Sequence, residues 1–541
     1  MLSAPEEIGR VLDSALADDP TRPAVTARAG TLSYAELDER SNRWARVLRE
    51  HGVKPGDRVG VSLPNDLDIV AAFHGAMRLG AVWVGINEGL AGPEKAYMLE
   101  DSRAMLLLCG ADTAAQLERA GPPTMRTMVV SGAGAEEWVA ALAAQDAAPL
   151  GNRVDPFAPA GIAYTSGTTG FPKGVVHSQS NMLMPGAYLN ATRGYGADLC
   201  KGDCFPLTIL NMLILTTLLT AQAGGHGVIM DKISTESVCR WVREEEVSVW
   251  NGPPPVLYTL AHDDRVLPTD LVSLREVWAG GADLPRSIRA AFEAKFGIEV
   301  RSTYGLTEAP TVVAIERPGA AHAEGSSGFP LPHLEVTIRD RDGATLPVGE
   351  VGQVCISPRA QGEIPERFPA DWNVELEAQA EPPTYRPMLG YWEKNEASEA
   401  ALGQGYLRTG DAGSFNAAGE LLVSDRINLV LNRGGANVYP AETERVVAAF
   451  ESVDSCGVFG VADDRLGERV AMLVQFDADA EPDLDALLDH CRVELAAYKV
   501  PELVAVVDEL PRNAMGKIDR RRLAEIGAPL VGRYERGRVA T

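Results

Sequence analysis

Positive charge is in short supply in this chain. Its 50 lysines and arginines face 75 aspartates and glutamates, a net charge of −25 over 541 residues. No basic stripe is available to displace phosphate counterions, so a nucleic-acid partner is not expected. A negative surface would also be repelled by anionic membranes. Long apolar runs are missing too. The most apolar stretch, Leu207 to Leu219, is broken by Asn211 and three threonines and is too short to span a bilayer. It reads as a buried helix beside a binding site. Cysteine is sparse: seven residues form an odd, scattered set whose one close pair is Cys200 and Cys204. No second pair or histidine cluster completes a zinc site, which leaves free buried thiols in a reducing cytoplasm as the expectation. The segment Met1 to Ile8 is acidic and has neither the basic nor the apolar region of a secretory signal.

Apolar residues make up 45% of the chain and charged residues 23%, the balance of a soluble globular protein. The length is too great for one core and implies two to four structural units. In the first half, helix and strand signals alternate. Ser33 and Glu36 form a capping box, and the helix they start should run to His51, where Gly52 stops it. A strand over Arg58–Leu63, a helix near Asp66–Leu79 and a strand over Ala81–Ile86 follow. That rhythm implies parallel sheets with crossover helices. A further strand is expected over Val272–Ala279, ending in the Gly280-Gly281-Ala282 turn. Prolines and glutamates without periodicity fill the stretch between Arg359 and Arg386, and the Gly- and Arg-rich residues after Leu523 read as a frayed tail.

The most informative segment runs from Tyr164 through Thr165, Ser166, Gly167, Thr168, Thr169, Gly170, Phe171 and Pro172 to Lys173 and Gly174. Its glycines let the backbone turn tightly and aim N–H groups at an anion, its hydroxyls add donors, and Lys173 adds a mobile charge. It is not a Walker A loop: the lysine follows a proline, and Gly174 stands where that motif has Ser or Thr. On composition alone it would more often be a surface loop. Four further segments follow in order: Ser302-Thr-Tyr-Gly-Leu-Thr-Glu308; Tyr406-Leu-Arg-Thr-Gly-Asp-Ala-Gly413; Asp425-Arg426 with Gly434-Gly-Ala-Asn-Val-Tyr-Pro-Ala-Glu442; and Leu510-Pro-Arg-Asn-Ala-Met-Gly-Lys-Ile518.

Together these five segments closely resemble the adenylate-forming superfamily of acyl-CoA synthetases, firefly luciferases and peptide-synthetase adenylation domains. The resemblance runs from Leu32 to Leu523. It implies an α/β fold: a large N-terminal domain (1–425) with parallel and mixed sheets flanked by helices plus a β-barrel-like subdomain, and a small mobile α+β C-terminal domain (426–541). It also implies roles. The Thr165–Lys173 loop clamps the phosphates of ATP, and Glu308 supplies a hard oxygen for Mg2+. Thr307 contacts the α-phosphate. Tyr304 faces adenine, with Gly280, Gly281, Ala282 and Gly305 letting backbone come close. Asp411 grips the ribose, Arg426 contacts ribose or phosphate, and Lys517 reaches the α-phosphate and the carboxylate. The pivot, usually Asp or Lys, is Asn428 here, followed by Leu429. Gly434, Gly435, Ala436 and Asn437 belong to the loop that helps form a tunnel for the CoA thiol. The Arg359–Arg386 stretch looks like an insertion relative to the family.

Substrate hints come from Phe205-Pro-Leu-Thr-Ile-Leu210, which has no acid to pair with an amino-acid ammonium. Thr208 and Ile209 stand where many relatives carry an aromatic–histidine pair. With Ile209, Pro254 and Ala309 lining the acyl pocket, a hydrophobic carboxylic acid (fatty, alicyclic or aryl) fits best. Three readings stay open: a CoA ligase; an adenylating enzyme that loads a separate carrier protein, since no carrier domain follows Leu523; and a non-catalytic nucleotide-binding relative. A cytoplasmic location and a homodimer complete the expectations.

Overall fold

The computed structural model describes residues 7–120, 125–166, 171–280, 284, 286–323, 325–340, 342–359, 386–426, 431–438, 440–477, 480–511, 520–535 and 538–540. Four sheets organise them. The expected capping box is present at Ser33 and Glu36 and opens the helix Tyr34–Glu50. Asp66 caps the next helix, Leu67–Leu79, which is buried on nearly every side because sheets and helices cover it all round. A Cβ on Gly75 would sit 2.9 Å from the backbone of Ser41 and Ala45, so glycine sets how closely these two helices cross.

A seven-stranded sheet runs in the order Gly390–Tyr391, Pro172–Ser178, Pro159–Ser166, Val82–Gly85, Arg58–Ser62, Leu106–Gly110 and Arg126–Ser131. Its last five strands are parallel, and the first two are antiparallel additions. A nine-stranded sheet carries Phe329–Pro330, Ala309–Ile315, Glu299–Leu306, Glu276–Gly280, Val249–Asn251, Cys200–Asp203, His226–Ile229, Pro23–Ala27 and Gly30–Ser33. A four-stranded antiparallel sheet (Leu334–Arg339, Gly352–Pro358, Leu407–Phe415, Leu421–Arg426) forms the barrel-like part. The α+β unit that follows centres on the long hairpin Val453–Asp463 and Gly467–Phe476, with helices Pro440–Ala448, Leu484–Glu494 and Arg520–Gly527.

Three expectations need correction. The strand expected from Val272 begins at Glu276, because Pro268–Leu271 forms a short 3-10 turn that leaves Val272 on the surface. The apolar run from Leu207 becomes helical at Leu210. It winds as a π-helix over Leu213–Leu218 before Leu219–Ala223 resumes α geometry. The chain after Leu523 is not a frayed tail: Gly532–Glu535 and Arg538–Ala540 form a hairpin that pairs with Leu503–Val506, where an open sheet edge supplies backbone partners. Residues 360–385 of the insertion lie outside the described residues. Six cysteines are buried, Cys200 is half-buried, and all seven are free thiols. Among the described residues, no helix is long and apolar enough to cross a membrane.

Candidate active site

Strands Pro159–Ser166 and Pro172–Ser178, which flank residues 167–170, pair antiparallel, with Thr165 opposite Lys173 and Ser166 opposite Pro172. Beside them the two-residue strand Gly390–Tyr391 pairs with Val176 and Val175, and the Trp392 N–H donates to the Gly174 carbonyl at 2.7 Å. That pairing brings the Tyr391 ring to 5.3 Å from the Lys173 ammonium, within cation–π range. The Tyr391 hydroxyl in turn donates to Glu308 Oε1 at 3.0 Å. Lysine, phenol and carboxylate thus stand in a line contributed by three separated segments of chain. Behind the hairpin, Asp101 accepts from the Tyr164 hydroxyl at 2.8 Å and from Lys394 Nζ at 3.1 Å, while its carbonyl accepts from Trp392 Nε1. Burial, then the Asp101 charge, pushes the Tyr164 phenol far above its ordinary value, so it remains a donor.

Thr307 and Glu308 form the turn between strands Glu299–Leu306 and Ala309–Ile315. The hairpin is narrow: a Cβ on Gly305 would fall 1.7 Å from the Thr311 carbonyl oxygen. Thr311 adopts φ 71°, a left-handed conformation that costs a β-branched residue energy and is held here by burial. From below, His177 Nε2 donates to the Thr307 carbonyl at 2.7 Å. Burial lowers the His177 pKa to about 4, so the ring is neutral at pH 7 and serves as a fixed donor.

Asp411 faces the same region from the four-stranded sheet. It is buried, accepts from the Tyr304 hydroxyl at 2.5 Å, and lies in register with Arg426. Its N–H donates to Thr409 Oγ1, whose own hydroxyl donates to the Val354 carbonyl. Gly280 ends its strand where a Cβ would meet Thr303 Oγ1 at 2.0 Å. On the other side, Gly434 (φ 62°) and Gly435 (φ 88°) form the turn between Leu431–Arg433 and Ala436–Val438. Their nearest neighbours across the gap are Pro255 and Pro253, so this loop meets the start of the helix Pro254–His262. Ile209 is 40% exposed ahead of the Leu210 helix, and Ala309 is buried directly after Glu308.

The structure therefore brings Lys173, Thr307, Glu308, Tyr304, Gly305 and Asp411 to one face, and Gly434, Gly435 and Ala436 to its border. Gly167, Thr168, Thr169, Gly170, Gly281, Ala282, Asn428 and Lys517 lie outside the described residues, as do the side chains of Ser166, Arg426 and Asn437. Sequence reasoning missed Tyr391, His177 and Asp101. Tyr391 had one available signal, the Gly390-Tyr-Trp392 element, but a two-residue strand leaves no periodicity to read.

This arrangement, with the 159–178 strand pair, the Thr307–Glu308 turn and the buried Asp411 converging on one face, accompanies an α/β fold of the adenylate-forming type. Residues 12–361 match the AMP-binding enzyme family and residues 442–517 its C-terminal domain, so the chain belongs to that family and is an AMP-forming acid–thiol ligase. It is 31% identical over 505 residues to the long-chain-fatty-acid–CoA ligase FadD13 of Mycobacterium tuberculosis, covering 91% of this chain and 93% of that one. It is 30% identical to the fatty acid–[acyl-carrier-protein] ligase ScoC of Streptomyces coeruleorubidus, covering 94% of each. Among solved structures, a double mutant of o-succinylbenzoate CoA synthetase MenE from Bacillus subtilis, bound with its product analogue OSB-NCoA, superposes with a TM-score of 0.81. It is 27% identical, with 95% of this chain and 98% of that chain covered. ATP-bound MatB from Rhodopseudomonas palustris gives 0.69 at 25% identity, covering 96% and 99%.

Proposed function

We propose that this chain is an ATP-dependent acyl-CoA ligase. It activates a hydrophobic carboxylic acid as an acyl adenylate, releases pyrophosphate, and passes the acyl group to the CoA thiol. The observation that carries the reading is the line from Lys173 through Tyr391 to Glu308 (5.3 Å and 3.0 Å). It sets a cation and a hard oxygen at one hairpin mouth, as polyphosphate chemistry requires.

Two anions must approach before the acid can attack phosphorus, so the site has to neutralise, align and exclude water. Lys173 and the 165–170 loop hold the β- and γ-phosphates. Magnesium supplies charge neutralisation when bound, and Glu308 would hold it; one carboxylate suits a cation that keeps most of its shell as water and phosphate oxygens. Tyr304 packs on adenine while its hydroxyl steadies Asp411 for the ribose. Thr307 and Lys517 orient the α-phosphate against the carboxylate, and the acid lies among Ile209, Pro254 and Ala309. For the second step the 426–541 unit pivots near Asn428, and Gly434 to Asn437 border the thiol path.

A second reading, transfer to a carrier-protein phosphopantetheine, is favoured by the likeness to ScoC. The experiment supplies ATP, Mg2+ and a panel of aliphatic, alicyclic, aryl and amino acids, and follows AMP, pyrophosphate and product mass with CoA, with a carrier protein, and with neither. A CoA thioester made from an apolar acid supports the ligase; transfer to the carrier alone moves the assignment. No acid-dependent pyrophosphate release across the panel sinks both.

A further inference from the structure

Lys499 is buried together with two carboxylates from helices far apart in sequence. Its ammonium donates to Glu442 Oε1 at 2.8 Å and to Glu94 Oε1 at 2.6 Å. The three side chains are 8%, 2% and 8% exposed for Lys499, Glu442 and Glu94. Glu442 lies in the first turn of Pro440–Ala448, within the same α+β unit as Lys499. The Thr443 hydroxyl, from the same turn, donates to the Lys499 carbonyl, which ties the lysine to this unit a second time. Glu94 belongs to Gly92–Asp101, a helix packed on the seven-stranded sheet, 405 residues away in sequence. Its other oxygen accepts the Ala91 N–H at 2.9 Å, so the helix cap holds this carboxylate in place. The adjacent Lys95 is committed elsewhere, donating to the Glu88 carbonyl and to Gln116 Oε1.

The geometry therefore separates a resident partner from an exchangeable one. If the units part, Lys499 keeps Glu442 and Glu94 returns to water at its helix N-terminus, so no charge is stranded. Breaking a buried pair is costly chiefly when it leaves an uncompensated charge. The orientation in which the clasp is closed is the one that carries Gly434 and Gly435 against Pro255 and Pro253. We propose that Glu94 and Lys499 are positioning residues that hold the α+β unit in the orientation for acyl transfer to the thiol, and that this contact opens for adenylation. The inference rests on the ligase reading above.

The test uses the full-length enzyme with Glu94→Gln and Glu94→Lys, which leave the Lys499–Glu442 pair in place. Adenylation is read as acid-dependent ATP–pyrophosphate exchange, and transfer as single-turnover thioester formation from preformed acyl adenylate. The expected result is exchange within about twofold of the parent and transfer slowed about fivefold by Glu94→Gln and more by Glu94→Lys, an effect of one charged contact. Small-angle scattering should show a broader distance distribution for both variants. Unchanged transfer, or equal falls in both half-reactions, overturns the proposal, since a merely structural contact would affect both alike. If the parent enzyme shows no exchange with any acid, the ligase reading has failed. The scattering arm then still decides whether Glu94 holds the units together, and superimposable profiles would sink that as well.

Discussion

The two ends of the nine-stranded sheet treat charge in opposite ways. At the end where Glu276 begins its strand, buried carboxylates are set against arginines. Arg193, fully buried, donates to Glu276 Oε2 at 2.8 Å and to the Glu316 carbonyl. Tyr195 also donates to Glu276, Arg301 lies 3.9 Å from it, and Arg289 makes a two-pronged pair with Glu316. At the carboxyl end, phenols donate to carboxylates: Tyr391 to Glu308 and Tyr304 to Asp411, while Lys173 rests on a ring. A phenol orients a carboxylate without cancelling its charge. The first end sets carboxylates against arginines, whereas the second sets them against hydroxyl donors.

The sharpest way to break this contrast is Glu276→Gln, which leaves buried arginines uncompensated. It should cost about 3–5 kcal/mol of stability, read from urea unfolding, with activity per folded molecule unchanged. Glu308→Gln should do the reverse. Pyrophosphate exchange is expected to fall about 100-fold or more, the scale of losing one preorganised charge-stabilising group, with the urea midpoint unmoved. Tyr391→Phe removes only the hydrogen bond to a charged acceptor and should lower exchange about tenfold. If it leaves exchange intact, the Lys173–Tyr391–Glu308 line is incidental.

A further effect is a pH dependence of stability. Burial lowers the pKa of His74 to about 3 and of His177 to about 4. Both are neutral when folded, while in the unfolded chain they take up protons below about pH 6.5, so stability falls as pH drops from there toward 4. Each contributes a slope of about 1.4 kcal/mol per pH unit within that window. Replacing His74 with Leu should flatten the urea midpoint between pH 6.5 and 5 without altering catalysis. His177→Gln should flatten it too, but should also slow exchange through Thr307.

Much of this was legible in the chain because the relevant signals are local. The Ser33–Glu36 box, the helix over 67–79 and the strand rhythm follow from spacing alone, and the motif order led to Thr307, Glu308, Tyr304 and Asp411. What was not legible depends on partners remote in sequence. Asp101 meets Tyr164 and Lys394 from 63 and 293 residues away, and His177 reaches Thr307 across 130. The terminal hairpin was misread for the same reason, since its stability comes from the sheet edge it joins and not from its own composition.

By itself, then, the sequence determined the chemical kinds of group this protein could bring to a nucleotide and the order in which the chain delivers them. It did so because a tight turn, a capped helix or a glycine at a close approach is specified within a few residues. Only the tertiary structure decided which carboxylates meet an arginine and which a phenol, and that the buried lysine at 499 would share one ammonium between two units. A side chain's electrostatic fate is set by what folding packs against it, and no local pattern records that.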